Sequence, residues 1–138
     1  MSLTKSAHEA LRWWQTARDD LSAAKSLLEA GMFSHACFQC QQSGEKAVKA
    51  LWFFVEADPW GHSIQKPVLE FPNREWFKEI DRWLSNAAFL DKMYIPTRYP
   101  NGLPDLTPME SYTKEDAEAA LERATFFVEE VYEQLPRK

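Results

Sequence analysis

The sequence contains only two cysteines, Cys37 and Cys40, among its 138 residues. Two are too few for the disulfide framework of a small secreted domain, and this scarcity agrees with a reducing compartment. The chain also has no run of about 18 apolar residues, the length that a transmembrane helix needs. Charged residues interrupt the first thirty positions, so no signal-peptide core is visible there. We therefore expect a cytoplasmic protein with no membrane partner.

Basic charge is scarce as well. The chain has 16 Lys and Arg against 21 Asp and Glu, which gives a formal net charge of -5. This balance argues against the broad basic surface used in sequence-independent binding to nucleic acid, and it leaves only a local basic site possible. Hydrophobic residues make up 45% of the chain, enough to offset the chain entropy lost on folding. We expect one domain over residues 1–138, with residues 1–6 as a disordered leader.

Apolar residues recur at helical spacing in three long segments. The first covers residues 7–30, and Gly31 is its expected stop. The second covers residues 34–57, contains no proline, and includes small residues such as Gly44 that let a neighbouring helix approach closely. The third is expected to begin at an Asn73 cap and to end near Tyr94.

The remaining segments complete an all-helical pattern. Four prolines and Gly102 between residues 95 and 109 predict an ordered, non-helical loop. Thr113 and Asp116 then approximate a capping box that begins a last helix. No strand pattern is visible. The predicted fold is all-α, an antiparallel helical bundle of four to five helices with a long Pro-rich loop before the last helix.

Three short motifs follow one another along the chain. They are Gln-Gln-x-x-Glu-Lys at 41–46, Gly-His-Ser at 61–63, and Tyr-x-Pro-Thr-Arg-Tyr-Pro at 94–100. Their order and spacing resemble those of the HEPN (higher eukaryote and prokaryote nucleotide-binding) domain family over nearly the whole chain. The resemblance implies a homodimeric helical bundle, of the stand-alone prokaryotic type that is often paired with a minimal nucleotidyltransferase in a toxin–antitoxin-like pair. We expect neither a cofactor nor a bound metal.

A histidine is missing from one of these motifs. Some HEPN proteins are metal-independent ribonucleases, whose signature is an arginine followed four to six residues later by a histidine. The resemblance places this arginine at Arg98, but none of residues 99–105 is a histidine. Cleavage through the ribose 2'-hydroxyl needs a group that exchanges a proton near neutral pH, and histidine suits that role best. We therefore expect a non-catalytic nucleotide-binding or partner module.

The alternative is a ribonuclease with a degenerate motif. In that hypothesis Arg98 holds the scissile phosphate, and His62 or Glu45 transfers the proton. The structural consequence is testable, because a general base must lie within reach of the reacting hydroxyl. His62 and Glu45 would then have to lie close to Arg98.

Five residues are candidates for binding a nucleotide or RNA through phosphate contacts or stacking. A guanidinium can hold a phosphate, and a neighbouring tyrosine ring can stack on a base. Lysines of the central helix would face the same cleft, and a glutamine amide would read a base edge. The candidates are Arg98, Tyr99, Lys46, Lys49 and Gln42.

Three of these candidates also have a purely structural interpretation. Arg98 would pair with Asp91 or Asp105 and fix the loop, and Lys49 would pair with Glu45 one helical turn away. Gln42 would bond to the neighbouring backbone or to a dimer partner.

The cysteine pair has two interpretations of its own. Cys37 and Cys40 form a Cys-x-x-Cys motif whose apolar surroundings favour burial in the core. A zinc site would need two further ligands, for which His35 and His62 are the obvious candidates.

Overall fold

The computed structural model describes residues 4–135, in which helices are joined by turns and loops. Two 3-10 turns, at Arg74–Trp76 and Pro100–Gly102, accompany six α-helices. The helices are α1 (Lys5–Glu29), α2 (Phe33–Phe54), α3 (Gln65–Glu70), α4 (Ile80–Asp91), α5 (Pro108–Ser111) and α6 (Lys114–Gln134). No strand occurs in the described residues, and the predicted all-α bundle is confirmed. None of the helices within residues 4–135 has the length and apolarity to cross a membrane.

Both ends of α1 follow from local chemistry. The Thr4 hydroxyl accepts a hydrogen bond from the amide of Ala7 at 3.1 Å and caps the first turn. At the other end Gly31 adopts φ +76°, and its amide donates to the carbonyl of Leu28, as expected of a glycine stop. The expected disordered leader is wrong for residues 4–6, because Lys5 and Ser6 belong to α1. Residues 1–3 lie outside the described part of the chain.

Helix α2 is the central element and packs against every other helix of the bundle. Gly44 lies where α3 and α4 approach it, and a Cβ atom there would lie 2.9 Å from Leu90 Cδ1 and 3.0 Å from Ile64 Cδ1. This confirms that a small residue permits the close approach. The helix ends at Phe54 rather than near residue 57, because Glu56 adopts a left-handed conformation with φ +60°.

The predicted start of the third long helix is wrong. Helix α4 begins at Ile80, and Asn73 makes no capping hydrogen bond through its side chain. Glu79, at φ +57°, separates the short turn at Arg74–Trp76 from the helix. The apolar residues of this segment are buried by aromatic packing instead, since the Phe77 ring lies 4.6 Å from the Trp83 ring.

The loop before α6 contains more helix than predicted. Thr107 Oγ1 accepts from the Glu110 amide at 3.3 Å, and Glu110 Oε1 accepts from the Thr107 amide at 3.1 Å, which is a complete capping box for α5. The amide and the hydroxyl of Thr107 both donate to the Glu110 carboxylate, and these hydrogen bonds lower the pKa of Glu110. The box predicted at Thr113 and Asp116 is confirmed and starts α6.

The two cysteines are core residues. Cys37 and Cys40 are fully buried and unpaired. Burial raises the pKa of Cys37 to about 12 and raises the pKa of Cys40 further above its ordinary value. Both thiols are therefore protonated near neutral pH. Within residues 4–135 no group of three or more His, Cys, Asp and Glu side chains is arranged to hold a metal ion.

Candidate functional site

The Arg98 guanidinium lies among aromatic rings. Its Cζ atom is 4.5 Å from the centroid of Phe38, 4.5 Å from that of Tyr94 and 5.1 Å from that of Tyr99. Its Nε atom donates to the Tyr94 carbonyl at 2.9 Å. The rings attract the cation through their quadrupoles and hold it in place, while the side chain stays exposed to solvent.

Within residues 4–135 no carboxylate pairs with this arginine. Asp91 is occupied elsewhere, because its two oxygens accept from the amides of Ile64 and Gln65 and cap α3. The structural interpretation in which Arg98 pairs with Asp91 or Asp105 is therefore wrong. Among the described residues, Arg98 makes no ion pair within 4.0 Å. Its terminal nitrogen atoms are available to an anion from solution.

Glu45 is a buried carboxylate shared by several donors. It is 4% exposed in the middle of α2, where Oε2 accepts from Lys49 Nζ at 3.0 Å and lies 3.4 Å from His62 Nδ1. Its Oε1 atom accepts from Gln41 Nε2 at 3.1 Å. The i,i+4 ion pair between Glu45 and Lys49 is thus present, and the same carboxylate orients the imidazole.

His62 connects Glu45 to Arg98 through one aromatic ring. The imidazole stacks on Tyr94 with ring centroids 4.8 Å apart and an interplanar angle of 17°. Tyr94 is also in contact with the Arg98 guanidinium. The His62 side chain is 58% exposed, so its outer edge faces solvent. Contacts therefore run from Glu45 through His62 and Tyr94 to Arg98.

Arg98 also lines a groove of about 240 Å³. Its apolar wall includes Phe38, Pro108 and Met109, and its polar edge includes His35 and Thr107. A pocket of this size with apolar walls and a few polar groups suits one part of a ligand, such as a base.

The other candidates lie in different settings. Tyr99 is 50% exposed beside Arg98. Gln42 Nε2 donates to the side-chain oxygen of Gln41 at 2.8 Å, and not to the neighbouring backbone that its structural interpretation expected. Lys46 pairs with Asp20 of α1 at 2.7 Å, so the expectation that it faces the cleft of Arg98 is wrong.

Sequence reasoning identified Tyr99 but missed the other two rings that hold Arg98, those of Phe38 and Tyr94. Tyr94 carried a local signal, because it precedes Arg98 by four residues and its carbonyl accepts from the arginine. Phe38 carried none, because its contact with Arg98 joins α2 to a loop some sixty positions later in the sequence. The groove is likewise built from segments distant in sequence.

Residues 10–135 match the family model of the HEPN domain, and the chain belongs to the HEPN domain family. The resemblance predicted from the motifs is confirmed. The chain is 29% identical to "Putative toxin MJ1304" of Methanocaldococcus jannaschii, in an alignment that covers 88% of this chain and 85% of that protein.

Solved structures give the same assignment. TT1696 from Thermus thermophilus is 37% identical, with a TM-score of 0.86 over 91% of this chain and 98% of that one. The archaeal HEPN homologue ST0689 is 35% identical, with a TM-score of 0.74 over 92% of this chain and 98% of that one. A HEPN domain protein of Thermotoga maritima is 31% identical, with a TM-score of 0.70 over 92% of this chain and 99% of that one.

Proposed function

We propose that this HEPN domain is a non-catalytic module that binds a nucleotide or RNA at the Arg98 site, defined as Phe38, His62, Tyr94, Arg98 and Tyr99. One observation carries the proposal. An exposed guanidinium is held by aromatic rings and pairs with no carboxylate in the described part of the chain. Arg82 and Arg123 also make no ion pair among the described residues, but each stacks on one ring, whereas three rings surround Arg98 and suit it to a local anion site.

The chemistry of the site fits a phosphate joined to a base. A guanidinium presents two N–H groups in a fork that matches two phosphate oxygens, and such charge-assisted bonds are stronger than neutral ones. The exposed ring of Tyr99 offers a surface on which a base can stack. The groove that Arg98 shares with Phe38 and Met109 offers a second place for a base.

The proposed setting is a homodimer that works with a minimal nucleotidyltransferase, as in a toxin–antitoxin-like pair. Membership of the HEPN family supports this setting, and the name of the Methanocaldococcus jannaschii relative supports the toxin-like role. In such a pair the module supplies the binding site and the partner supplies the chemistry.

We expect Arg98→Ala to weaken binding of ATP or of a short single-stranded RNA by about 10-fold or more, because the variant loses a charge-assisted bond to phosphate. Isothermal titration calorimetry measures this change. Arg82→Ala is the matched control, since Arg82 is also exposed and stacks on Phe126 at 4.8 Å. Equal affinity of wild type and Arg98→Ala for both ligands would contradict the proposal.

A second candidate function is favoured by the Glu45–His62 pair. A carboxylate that orients an imidazole next to a phosphate-binding arginine is an arrangement able to move a proton from a 2'-hydroxyl. If the domain is a ribonuclease, it will cleave RNA in the presence of EDTA, and His62→Gln will slow cleavage by about 100-fold or more. His8→Gln, an exposed histidine on α1, is the control. Arg98-dependent binding without cleavage would leave the binding module as the function.

A further inference from the structure

Trp60 is the most exposed large hydrophobic side chain in residues 4–135. It is 89% exposed, whereas the other exposed large hydrophobic residues there are between 36% and 50% exposed. Each of the five other tryptophans contacts a second aromatic ring, but Trp60 contacts none in the described part of the chain. The side chain therefore contributes little to the fold. Such exposure is typical of a binding surface, because tryptophan is enriched among the residues that dominate interface energies.

Trp60 lines a groove beside α3. The groove encloses about 160 Å³, and its apolar lining consists of Trp52, Pro59, Trp60 and Pro67. Its polar lining consists of Asp58, Lys66 and Glu70. We call it the Trp60 groove. None of these residues belongs to the Arg98 site.

The wall formed by Trp52 and Pro67 is fixed by contacts within the fold. The indole Nε1 of Trp52 donates to the Pro67 carbonyl at 3.0 Å and joins the end of α2 to α3. The ring of Phe71 contacts the Trp52 ring edge-on, with centroids 5.7 Å apart. Pro59 and Pro67 are both buried, so the backbone is anchored on both sides of the groove. The groove is therefore formed before any partner binds.

The volume of the groove indicates the kind of ligand. Pockets that enclose a whole small molecule usually measure about 300–1,000 Å³. At about 160 Å³ the Trp60 groove has room only for one or two side chains of a larger molecule. A nucleic acid suits it poorly, because the phosphates would approach the carboxylates of Asp58 and Glu70. A segment of a partner protein fits better.

Trp60 offers a hydrogen-bond donor as well as a ring. The indole N–H groups of Trp13, Trp14 and Trp52 have acceptors within the fold, whereas that of Trp60 has none among residues 4–135. A polyproline II helix matches this chemistry, because it has apolar rings and its carbonyls make no hydrogen bond within the helix. Proline-rich segments bind in aromatic-lined grooves and lose little entropy there, because their helix is already formed.

Charge at the edge of the groove favours a basic residue in such a segment. Lys66 and Glu70 lie one helical turn apart on α3 and offset each other's charge. Asp58 makes no ion pair within 4.0 Å in the described part of the chain. Its carboxylate is therefore available to an arginine or a lysine of the partner.

We propose that the Trp60 groove binds a proline-rich segment of a partner protein, with a basic residue next to the prolines. The proline rings pack against Trp52 and Trp60, and the Trp60 indole donates to a carbonyl of the segment. The basic residue pairs with Asp58. The groove is thus an interaction surface separate from the Arg98 site and with a different class of ligand.

The test is a fluorescence anisotropy titration of the whole chain with a fluorescein-labelled peptide of six prolines flanked by an arginine at each end. We expect Trp60→Leu to weaken binding by about 10-fold or more, because it removes a tryptophan at the centre of the contact. The variant keeps the fold, since the side chain is 89% exposed. Leu106→Ala, at an exposed apolar side chain outside the groove, is the control and keeps wild-type affinity.

Two further comparisons separate the contribution of the rings from that of the charge. A peptide with alanines in place of the prolines is expected to bind wild type about 10-fold more weakly, because it lacks the proline rings and the preformed helix. Asp58→Asn is expected to weaken the arginine-flanked peptide by about threefold and to leave a glycine-flanked hexaproline unchanged. Asp105→Asn, at an exposed aspartate before α5, is its control.

Three outcomes in the titration overturn the inference. They are failure of the proline peptide to bind wild type, equal affinity of wild type and Trp60→Leu for it, and equal affinity of wild type for the proline and alanine peptides. Sedimentation velocity tests a different occupant. If Trp60→Leu dissociates an assembly of identical chains, a second copy covers the groove and the inference is also overturned. The proposed function is unaffected by each of these results, because the Arg98 site shares no residue with the groove.

Discussion

Replacing Glu45 with alanine is expected to lower the free energy of unfolding by about 3 kcal/mol, the usual cost of removing one partner from a buried ion pair. The Lys49 side chain is only 13% exposed, so without Glu45 its ammonium group remains largely buried with no anion to stabilise it. Gln41 loses one acceptor as well, and His62 loses the carboxylate that orients its ring. Urea unfolding monitored by circular dichroism measures the change.

Two further variants test this explanation. Asp19→Ala removes an exposed ion pair whose atoms are 3.9 Å apart, and we expect it to change stability by no more than about 0.5 kcal/mol. The double variant Glu45→Leu/Lys49→Met removes both charges and is expected to recover most of the lost stability, since apolar residues of similar size replace a buried pair well. A double variant less stable than Glu45→Ala would show that the ion pair is not the source of the loss.

Phe127→Ala is expected to lower the free energy of unfolding by about 4 kcal/mol. Phe127 is fully buried in α6, with its ring centroid 5.8 Å from that of Trp83 and 5.3 Å from that of Phe126. It also lies against Gly44, where a Cβ atom would come within 3.4 Å of its ring. Rigid helices and aromatic rings surround the site, so the cavity left by the substitution can collapse only in part.

The control for this prediction is Trp60→Ala, an aromatic truncation at a side chain that is 89% exposed. We expect a change of no more than about 0.5 kcal/mol there. A loss below about 2 kcal/mol for Phe127→Ala in urea unfolding would mean that the core around Gly44 relaxes to fill the space.

The long helices could be predicted because their signals are local. The apolar stripe of α1, the glycine stop at Gly31 and the capping box at Thr113 each depend on residues within one or two helical turns. The same reasoning failed at Asn73, because Trp76 and Phe77 mimic a helical stripe while they belong to an aromatic cluster with Phe71. Glu79 breaks the helix because its backbone is left-handed. The pattern of side chains gave no sign of this conformation.

The candidate site could be predicted only in part. Arg98 followed from its motif, and the pairing of Glu45 with Lys49 followed from a spacing of four on a helix. The stacking of His62 on Tyr94 and the contact of Arg98 with Phe38 join segments that only the folded chain brings together. The direction of the Lys46 side chain could not be predicted for the same reason, because it depends on an ion pair with Asp20 on another helix.

The aromatic clamp on Arg98 has a consequence for the thermodynamics of binding. A free arginine side chain has about 2 kcal/mol of rotamer entropy to lose when it is fixed on a ligand. Here Phe38, Tyr94 and the hydrogen bond to the Tyr94 carbonyl restrict the side chain during folding, before any ligand is present. A phosphate that binds there meets a preorganised cation, so little of its binding energy is lost in ordering the receptor.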